Sequence, residues 1–218
     1  MPIKAKIYEG FKFCFDFVVA GLALILLSPS FLIIALIIKL DSPGPVFFKQ
    51  LRTGKNGKPF YMYKFRSMAA DNDMFDTSCG DRYTRVGSGL RKTSIDELAQ
   101  LINIVRGEMS IIGPRPWVVE YYENMTEDER HRSDVRPGIT GLAAAKGRNN
   151  LSIFEKINYD LEYVKNYGLI QDIKIVFWTI KTVLTREGAS SNKEVVRDEL
   201  TSLKCHKRGQ KIVTINRV

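Results

Sequence analysis

The chain has 218 residues, with 33 lysines and arginines against 24 aspartates and glutamates, for a formal net charge of +9. This length accommodates one globular domain plus a membrane element. Its three cysteines are far apart and its two histidines are isolated, which argues against a disulfide framework and against a zinc site. The positive balance favours phosphorylated substrates or anionic membrane lipid as partners. Because an apolar segment is also present, we do not expect nucleic acid among them.

That apolar segment lies near the N-terminus and is interrupted by Ser28 and Pro29. Unbroken, residues 17–40 would form a helix long enough to cross the ~30 Å hydrocarbon core of a bilayer. Pro29 lacks an N–H, and its ring clashes with the carbonyl group four residues back. Lysines flank both ends, and positive residues prefer the cytoplasmic side. We therefore predict a re-entrant membrane helix over residues 1–40, broken at Ser28-Pro29; a single span kinked at Pro29, with its N-terminus outside, remains the alternative.

The next segment has the pattern of a small β-hairpin. Residues 46–51 and 59–65 are predicted strands on either side of a glycine-containing loop. From residue 42 to residue 70 there are six basic residues and no acidic one. The pattern fits either a solvated hairpin beside anionic lipid or a binding surface for substrate phosphate, and both interpretations stay open. The basic residues are Lys49, Arg52, Lys55, Lys58, Lys64 and Arg66.

The remainder is predicted to be mainly helical. Residues 69–89 are polar and predict a loop, and residues 95–105 and 117–125 predict helices. Residues 113–116 and 136–141 predict rigid, proline-containing loops, and residues 152–184 predict one or two helices punctuated near Gly168. The fold class is thus α+β, mainly α. A compact interfacial catalytic domain with amphipathic helices is expected over residues 41–186, followed by a basic extension over 187–218.

Two adjacent carboxylates, Asp96 and Glu97, open the predicted helix at 95–105. One interpretation is structural, because Ser94 and Glu97 have the spacing of a capping box. The other is chemical: Arg91 and Lys92 lie just upstream, and we expect their charge to lower the pKa of Asp96 and keep it ionised. An ionised carboxylate can attack phosphorus and form an acyl phosphate. Its neighbour is a candidate ligand for Mg²⁺, which binds few protein carboxylates together with substrate phosphates. Both interpretations can hold together.

Arg115 lies between Pro114 and Pro116, which fix the backbone on both sides of it. A guanidinium group presented in this way can bind phosphate bidentately and stays charged. The alternative is that the prolines only end one element and begin the next. Four other charged residues are ambiguous in the same manner, and the two aspartates among them fit a surface position as well as a ligand role. They are Arg136, Arg148, Asp160 and Asp172.

Taken together, six strings in order over about residues 8–186 resemble one family, the bacterial sugar transferases, which are monotopic polyprenyl-phosphate phosphoglycosyl transferases. The chain is most similar to the small members that consist of the catalytic domain alone. The strings are Ser28-Pro29, Asp41-Ser42-Pro43-Gly44-Pro45-Val46-Phe47-Phe48, Tyr63-Lys64-Phe65-Arg66-Ser67-Met68, Leu90-Arg91-Lys92-Thr93-Ser94-Ile95-Asp96-Glu97-Leu98, Met109-Ser110-Ile111-Ile112-Gly113-Pro114-Arg115-Pro116 and Arg136-Pro137-Gly138-Ile139-Thr140-Gly141.

The resemblance implies transfer of a phospho-sugar from a UDP-sugar to undecaprenyl phosphate, with release of UMP, as the first membrane step of glycan assembly. It implies that Asp96 is the covalent nucleophile and that Glu97 helps to hold Mg²⁺. It also implies a re-entrant helix in the bacterial inner membrane, with the catalytic domain on the cytoplasmic face. The remaining residues that the resemblance assigns to substrate binding are Lys64, Arg91, Arg115, Arg148, Asp160 and Asp172.

A different class of function would also explain the charge and the anchor. This is a non-enzymatic, membrane-anchored basic module that binds lipid or recruits a partner, and it leaves the Asp96–Glu97 pair without a role. The sequence does not identify the sugar or the glycan pathway. It also leaves open the role of the extension after residue 187 and the oligomeric state, with a homodimer among the partners considered.

Overall fold

The computed structural model describes residues 3–68, 83–147, 150–185 and 193–207. It is mainly helical with two small two-stranded sheets, so the predicted α+β class is confirmed. Helix α1, Ile3–Asp41, is long and apolar enough by length and composition to cross a membrane, and it alone is so within the described ranges.

The predicted division of this segment into two helices is corrected, because the helix continues through Pro29. The proline cannot donate to the carbonyl of Ile25, which lies four residues earlier. The Ser28 hydroxyl donates to that carbonyl instead, at 2.8 Å. One lost backbone hydrogen bond is thus replaced by a side-chain bond, which allows the helix to include the proline.

One face of α1 packs on the rest of the protein along nearly its whole length. Its buried residues are Ala5, Lys12, Asp16, Ala20 and Ile38. Their spacing of mostly whole helical turns places them on one stripe. The opposite face is apolar and exposed, and includes Ile7, Phe15, Leu22, Ile25, Leu26, Leu32, Ile33, Leu36 and Leu40.

The predicted hairpin is confirmed. Strand β1, Phe47–Thr53, pairs antiparallel with β2, Pro59–Phe65, around a 3₁₀ turn at Lys55–Gly57. Phe60 and Met62 pack with Ala20 of α1 in one apolar cluster. The hairpin therefore packs against α1.

Helix α2, Arg85–Lys92, occupies part of the predicted loop at 69–89, so that prediction is wrong over residues 85–89; residues 69–82 lie outside the described ranges. The Thr84 hydroxyl caps α2 by accepting from the amide of Gly87 at 3.0 Å. A 3₁₀ helix at Ile95–Gln100 then leads into α3, Leu101–Val105, which agrees with the predicted helix over 95–105.

Strand β3, Ser110–Ile112, pairs in parallel with β4, Gly138–Thr140. The predicted rigid loop over residues 136–141 is therefore corrected, since half of it is a strand. The pairing depends on a close backbone approach: a Cβ atom on Gly138 would overlap the amide of Gly113. Only glycine fits at such a contact.

The remaining elements of the described ranges are helical. The predicted helix over 117–125 shortens to α4, because Val118 is extended and the carbonyl of Trp117 accepts from the amide of Thr53 at 2.8 Å. The predicted separation near Gly168 is confirmed by the boundary between α7 and α8. The elements are α4 (Val119–Glu123), α5 (Glu127–Arg130), a 3₁₀ turn (His131–Ser133), α6 (Leu142–Lys146), α7 (Ile153–Lys165), α8 (Leu169–Thr185) and α9 (Lys193–Lys207).

Buried charges attach the N-terminal half of α1 to this domain. Lys12 pairs with Asp172 of α8, and both side chains are almost fully buried. The hydroxyls of Tyr8 and Tyr163 donate to the same carboxylate at 2.6 and 2.8 Å. The paired carboxylate is therefore surrounded by donors, as a buried charge requires.

We predict that Lys12→Met destabilises the fold by about 3–5 kcal/mol, because it leaves a buried carboxylate without its cation. The measurement is the unfolding midpoint of the purified protein in detergent. Lys6→Met is the control, because Lys6 is exposed on the same helix. Adding Asp172→Asn should restore part of the loss. Equal midpoints for Lys12→Met and the wild type would contradict this role.

Candidate active site

Asp96 and Glu97 lie in the first turn of the 3₁₀ helix Ile95–Gln100. Ser94 precedes them in the left-handed region, with φ 57° and ψ 17°, and makes no side-chain capping bond. The predicted capping box is therefore wrong. A non-glycine residue in this conformation costs on the order of 1–3 kcal/mol, and such strain is common at functional sites. The turn at Ser94 frees the Glu97 carboxylate for other partners.

Those partners are two cations from different parts of the chain. Lys64 Nζ of β2 donates to Glu97 Oε1 at 2.8 Å, and Arg115 donates to the same oxygen at 2.6 Å. Burial raises the pKa of Glu97, but the charges and hydrogen bonds of Arg115 and Lys64 outweigh it and hold that pKa well below its usual range. Glu97 therefore stays ionised between the two cations.

Asp96 is 5% exposed. Burial raises the pKa of its carboxyl, and the neighbouring negative charge of Glu97 adds to this, while Lys64, Arg91 and Arg115 act in the opposite direction. Our expectation that positive neighbours lower the pKa of Asp96 is therefore wrong, because desolvation is the larger effect. Of the two carboxylates, Asp96 is therefore the less stable in its charged form.

Two further arginines complete the cluster. Arg91 of α2 is exposed, and its guanidinium lies 5.2 Å from the ring of Tyr83. Arg52 of β1 donates to the carbonyl of Pro116 at 3.3 Å, and burial lowers its pKa to about 10. Sequence reasoning noted Arg52 among the basic residues of the hairpin but not as part of the site; only the folded register brings it beside the loop at 113–116.

Four cations thus surround two carboxylates, which leaves positive charge in excess around Asp96. The cations are Lys64, Arg91, Arg115 and Arg52. Excess charge of this kind, on side chains from four different segments, suits a ligand with several negative charges such as a diphosphate.

The backbone of Arg115 is held from behind. Arg132 donates to its carbonyl at 2.8 Å and lies 3.9 Å from the ring centre of Trp117. Arg132 also pairs with the buried carboxylate of Asp160 at 2.6 Å. The two prolines and this arginine together fix the loop that presents the half-exposed Arg115 side chain.

The structure does not bring every predicted site residue to this cluster. Asp160 contacts Arg132 and Asp172 contacts Lys12, each in a buried pair, and their roles toward substrate stay predictions. Arg136 is also buried and pairs with Asp16 of α1 at 3.3 Å. Arg148 lies outside the described residues.

Within the described ranges, no group of three or more histidine, cysteine, aspartate or glutamate side chains forms a metal site. The adjacent carboxylates of Asp96 and Glu97 nevertheless fit Mg²⁺, because this ion commonly uses one or two carboxylates and completes its shell with substrate phosphates and water. Both described cation contacts to Glu97 use Oε1. The two carboxylates alone would not complete the coordination shell of Mg²⁺, so the diphosphate of the substrate would have to supply further oxygen ligands.

The sequence of this domain matches a known family. Residues 7–186 fit the sequence model of the bacterial sugar transferases. The chain belongs to the bacterial sugar transferase family. The match contains every element of the cluster described above, which confirms the resemblance noted from the six strings.

Several sugar transferases are similar to this chain over most of its length. The sugar transferase EpsL of Bacillus subtilis is 40% identical over 192 residues, covering 87% of this chain and 95% of EpsL. The UDP-glucose:undecaprenyl-phosphate glucose-1-phosphate transferase of Escherichia coli is 46% identical over 177 residues, covering 76% of this chain and 38% of that enzyme. The UDP-N-acetylgalactosamine-undecaprenyl-phosphate N-acetylgalactosaminephosphotransferase of Aeromonas hydrophila is 42% identical over 199 residues, covering 86% of this chain and 47% of the relative. The chain thus spans less than half the length of the last two of these relatives.

We predict that Asp96→Asn raises the thermal midpoint of this sugar transferase at pH 7. Folding disfavours the ionised form of Asp96, because its pKa is raised in the folded state, and the neutral amide removes that penalty. As the pH falls through the raised pKa the wild-type carboxyl becomes protonated, so the difference between the two proteins should shrink. Asp128→Asn, at an exposed position of α5, is the control. A lower midpoint for Asp96→Asn at pH 7 would contradict the desolvated charge.

Proposed function

We propose that this protein transfers a phospho-sugar from a UDP-sugar to undecaprenyl phosphate through a covalent intermediate on Asp96, with release of UMP. The observation that carries the proposal is the buried carboxylate of Asp96, which lies beside Glu97. Lys64 and Arg115 both pair with Glu97 and hold it ionised. The names of the relatives from Escherichia coli and Aeromonas hydrophila, which state sugar-phosphate transfer to undecaprenyl phosphate, support the class of reaction.

In the first step a carboxylate oxygen of Asp96 attacks the phosphorus atom that bears the sugar. A bond forms between that oxygen and phosphorus, the bond from phosphorus to the bridging oxygen breaks, and its electron pair leaves with UMP. In the second step an oxygen of undecaprenyl phosphate attacks the same phosphorus, and the Asp96 carboxylate leaves. The two displacements return the enzyme to its starting state and predict ping-pong kinetics.

The electrostatics of the cluster suit this sequence of events. A buried carboxylate with a raised pKa is poorly stabilised as an anion, so neutralising it by bond formation to phosphorus is favourable. Lys64, Arg52 and Arg115 can stabilise the negative charge that develops on the phosphate oxygens of UMP as it leaves. Mg²⁺ bound at Glu97 and the diphosphate would add Lewis-acid stabilisation of the leaving group.

Two apolar surfaces support a position at a membrane. One is the outward face of α1. The other is a stripe on α8, whose side chains are 41–72% exposed and recur at helical spacing. The stripe consists of Leu169, Ile170, Ile173, Val176, Phe177 and Ile180. The inward face of α8 instead carries Asp172, Ile175 and Thr182, which are buried.

Contacts at both ends of α1 support a re-entrant helix that returns to the cytoplasmic face. Near the N-terminus Lys12 pairs with Asp172, and near the C-terminus Arg66 donates to the carbonyls of Ile38 and Ser42. A helix that crosses a bilayer places its ends ~30 Å apart on opposite surfaces. A polar domain that contacts both ends favours the same side for each, and a bend at Pro29 would allow it.

The decisive experiment looks for the covalent intermediate. Incubated with Mg²⁺ and a panel of UDP-sugars but no acceptor, the protein should release UMP and carry a sugar phosphate on the peptide that contains Asp96, as detected by mass spectrometry. Asp96→Asn should lose at least about a thousandfold in turnover, because it removes the nucleophile. It should keep its membrane association, since α1 is unchanged.

A competent donor consumed without an adduct on this peptide, even after rapid trapping, would refute the covalent role. No UMP release from any donor, combined with retained binding to anionic vesicles, would favour the non-enzymatic lipid-binding module instead.

A separate prediction concerns topology. In a background without the three native cysteines, Lys4→Cys and Lys39→Cys should both resist a membrane-impermeant maleimide added to intact spheroplasts, and both should react after lysis. These lysines are exposed near opposite ends of α1, so each thiol is accessible once the membrane is opened. Labelling of Lys4→Cys from outside would indicate a single span.

A further inference from the structure

Helix α9, Lys193–Lys207, lies beyond the part of the chain that matches the family, which ends at residue 186. It nevertheless contributes to a core. Leu203 is completely buried in a cluster with Val118, Tyr121 and Ile157. Burial of a leucine side chain is stabilising, and a helix of this length is marginal in water without such packing. Docking of α9 thus depends on its tertiary contacts.

The second contact is polar and centres on Glu199. One carboxylate oxygen accepts from Lys156 Nζ at 2.6 Å, and the other accepts from the Tyr121 hydroxyl at 3.2 Å. Both Lys156 and Glu199 are largely buried. Glu199 thereby connects α9 to α7 and to α4 at the same point.

From Tyr121 a continuous set of contacts leads to the candidate active site. The ring of Tyr121 packs edge-on against Trp117, with 5.4 Å between ring centres. Trp117 lies beneath the guanidinium of Arg132, which donates to the carbonyl of Arg115. The Trp117 carbonyl also accepts from the Thr53 amide, next to Arg52. Trp117, which follows the loop that carries Arg115, therefore packs on Tyr121, the residue that is hydrogen-bonded to Glu199 of α9.

We propose that α9 is a positioning element for donor binding, with Glu199 and Leu203 as its positioning residues. Docked α9 fixes Tyr121 and Trp117, and these fix the loop that presents Arg115 to the diphosphate of the nucleotide sugar. This inference rests on the proposed function. Its consequence is that contacts from outside the family domain set the affinity for the donor while leaving the acceptor site unaffected.

The test compares Glu199→Ala and Leu203→Ala with the wild type in the full-length protein. Each variant should lower kcat/KM for the UDP-sugar about tenfold, while kcat/KM for undecaprenyl phosphate stays within about twofold, because in a ping-pong reaction the donor contacts act only in the first displacement. Glu199→Gln should lie closer to the wild type, since its amide oxygen still accepts from Tyr121. Lys204→Ala is the matched control, because Lys204 is exposed on the same helix.

Hydrogen exchange provides a readout that does not depend on activity. Peptides covering residues 113–125 should exchange faster in Glu199→Ala, while peptides of β2 should be unchanged. Unchanged exchange at 113–125 would overturn the coupling between α9 and the loop. Faster exchange with an unchanged kcat/KM for the donor would overturn the role of α9 in donor binding. A wild-type protein that is inactive with every donor, but whose Glu199→Ala variant exchanges faster, would refute the proposed reaction and support the coupling.

Discussion

The site depends on one carboxylate that two cations share. Lys64 and Arg115 come from β2 and from the loop at 113–116, and both bond the same oxygen of Glu97. Two positive charges about 4 Å apart repel each other by roughly 4 kcal/mol at an effective dielectric constant of 20. Glu97 offsets that repulsion and so allows three separate segments to converge. The consequence is a positively charged environment around a second, buried carboxylate whose charge is poorly stabilised.

Buried charges perform a different task elsewhere in the protein. Lys12 and Asp16 on α1 pair with Asp172 and Arg136, so the apolar helix is attached to the domain by ion pairs as well as by apolar contacts. In lipid, apolar contacts alone would discriminate weakly between the domain and the hydrocarbon tails. Paired charges can be satisfied only against the domain, which gives α1 one orientation and leaves its apolar face exposed.

Patterns local to the chain were predicted well. The hairpin, the helix over 95–105 and the division near Gly168 follow from spacing and turn residues, and the structure confirms them. Among the failures, those at Gly138 and Ser94 have tertiary causes, whereas the one at Pro29 has a local cause. The segment around Gly138 is a strand because β3 lies beside it, and the chain continues as helix through Pro29 because Ser28 supplies a replacement hydrogen bond. The capping box at Ser94 is lost because Lys64 and Arg115 attract Glu97 more strongly than the backbone does.

The family, the apolar helix and the Asp96–Glu97 pair can all be identified from the sequence, because they reside in short contiguous strings and in composition. Which charges act together depends on tertiary contacts and is seen only in the folded protein. Arg52 joins the cluster, whereas Asp160, Asp172 and Arg136 are used in buried pairs. The tertiary structure also reversed the expected direction of the pKa shift of Asp96, since desolvation depends on the surrounding protein rather than on neighbours in sequence. Charges near in sequence are visible in a string, but burial and long-range pairing exist only after folding.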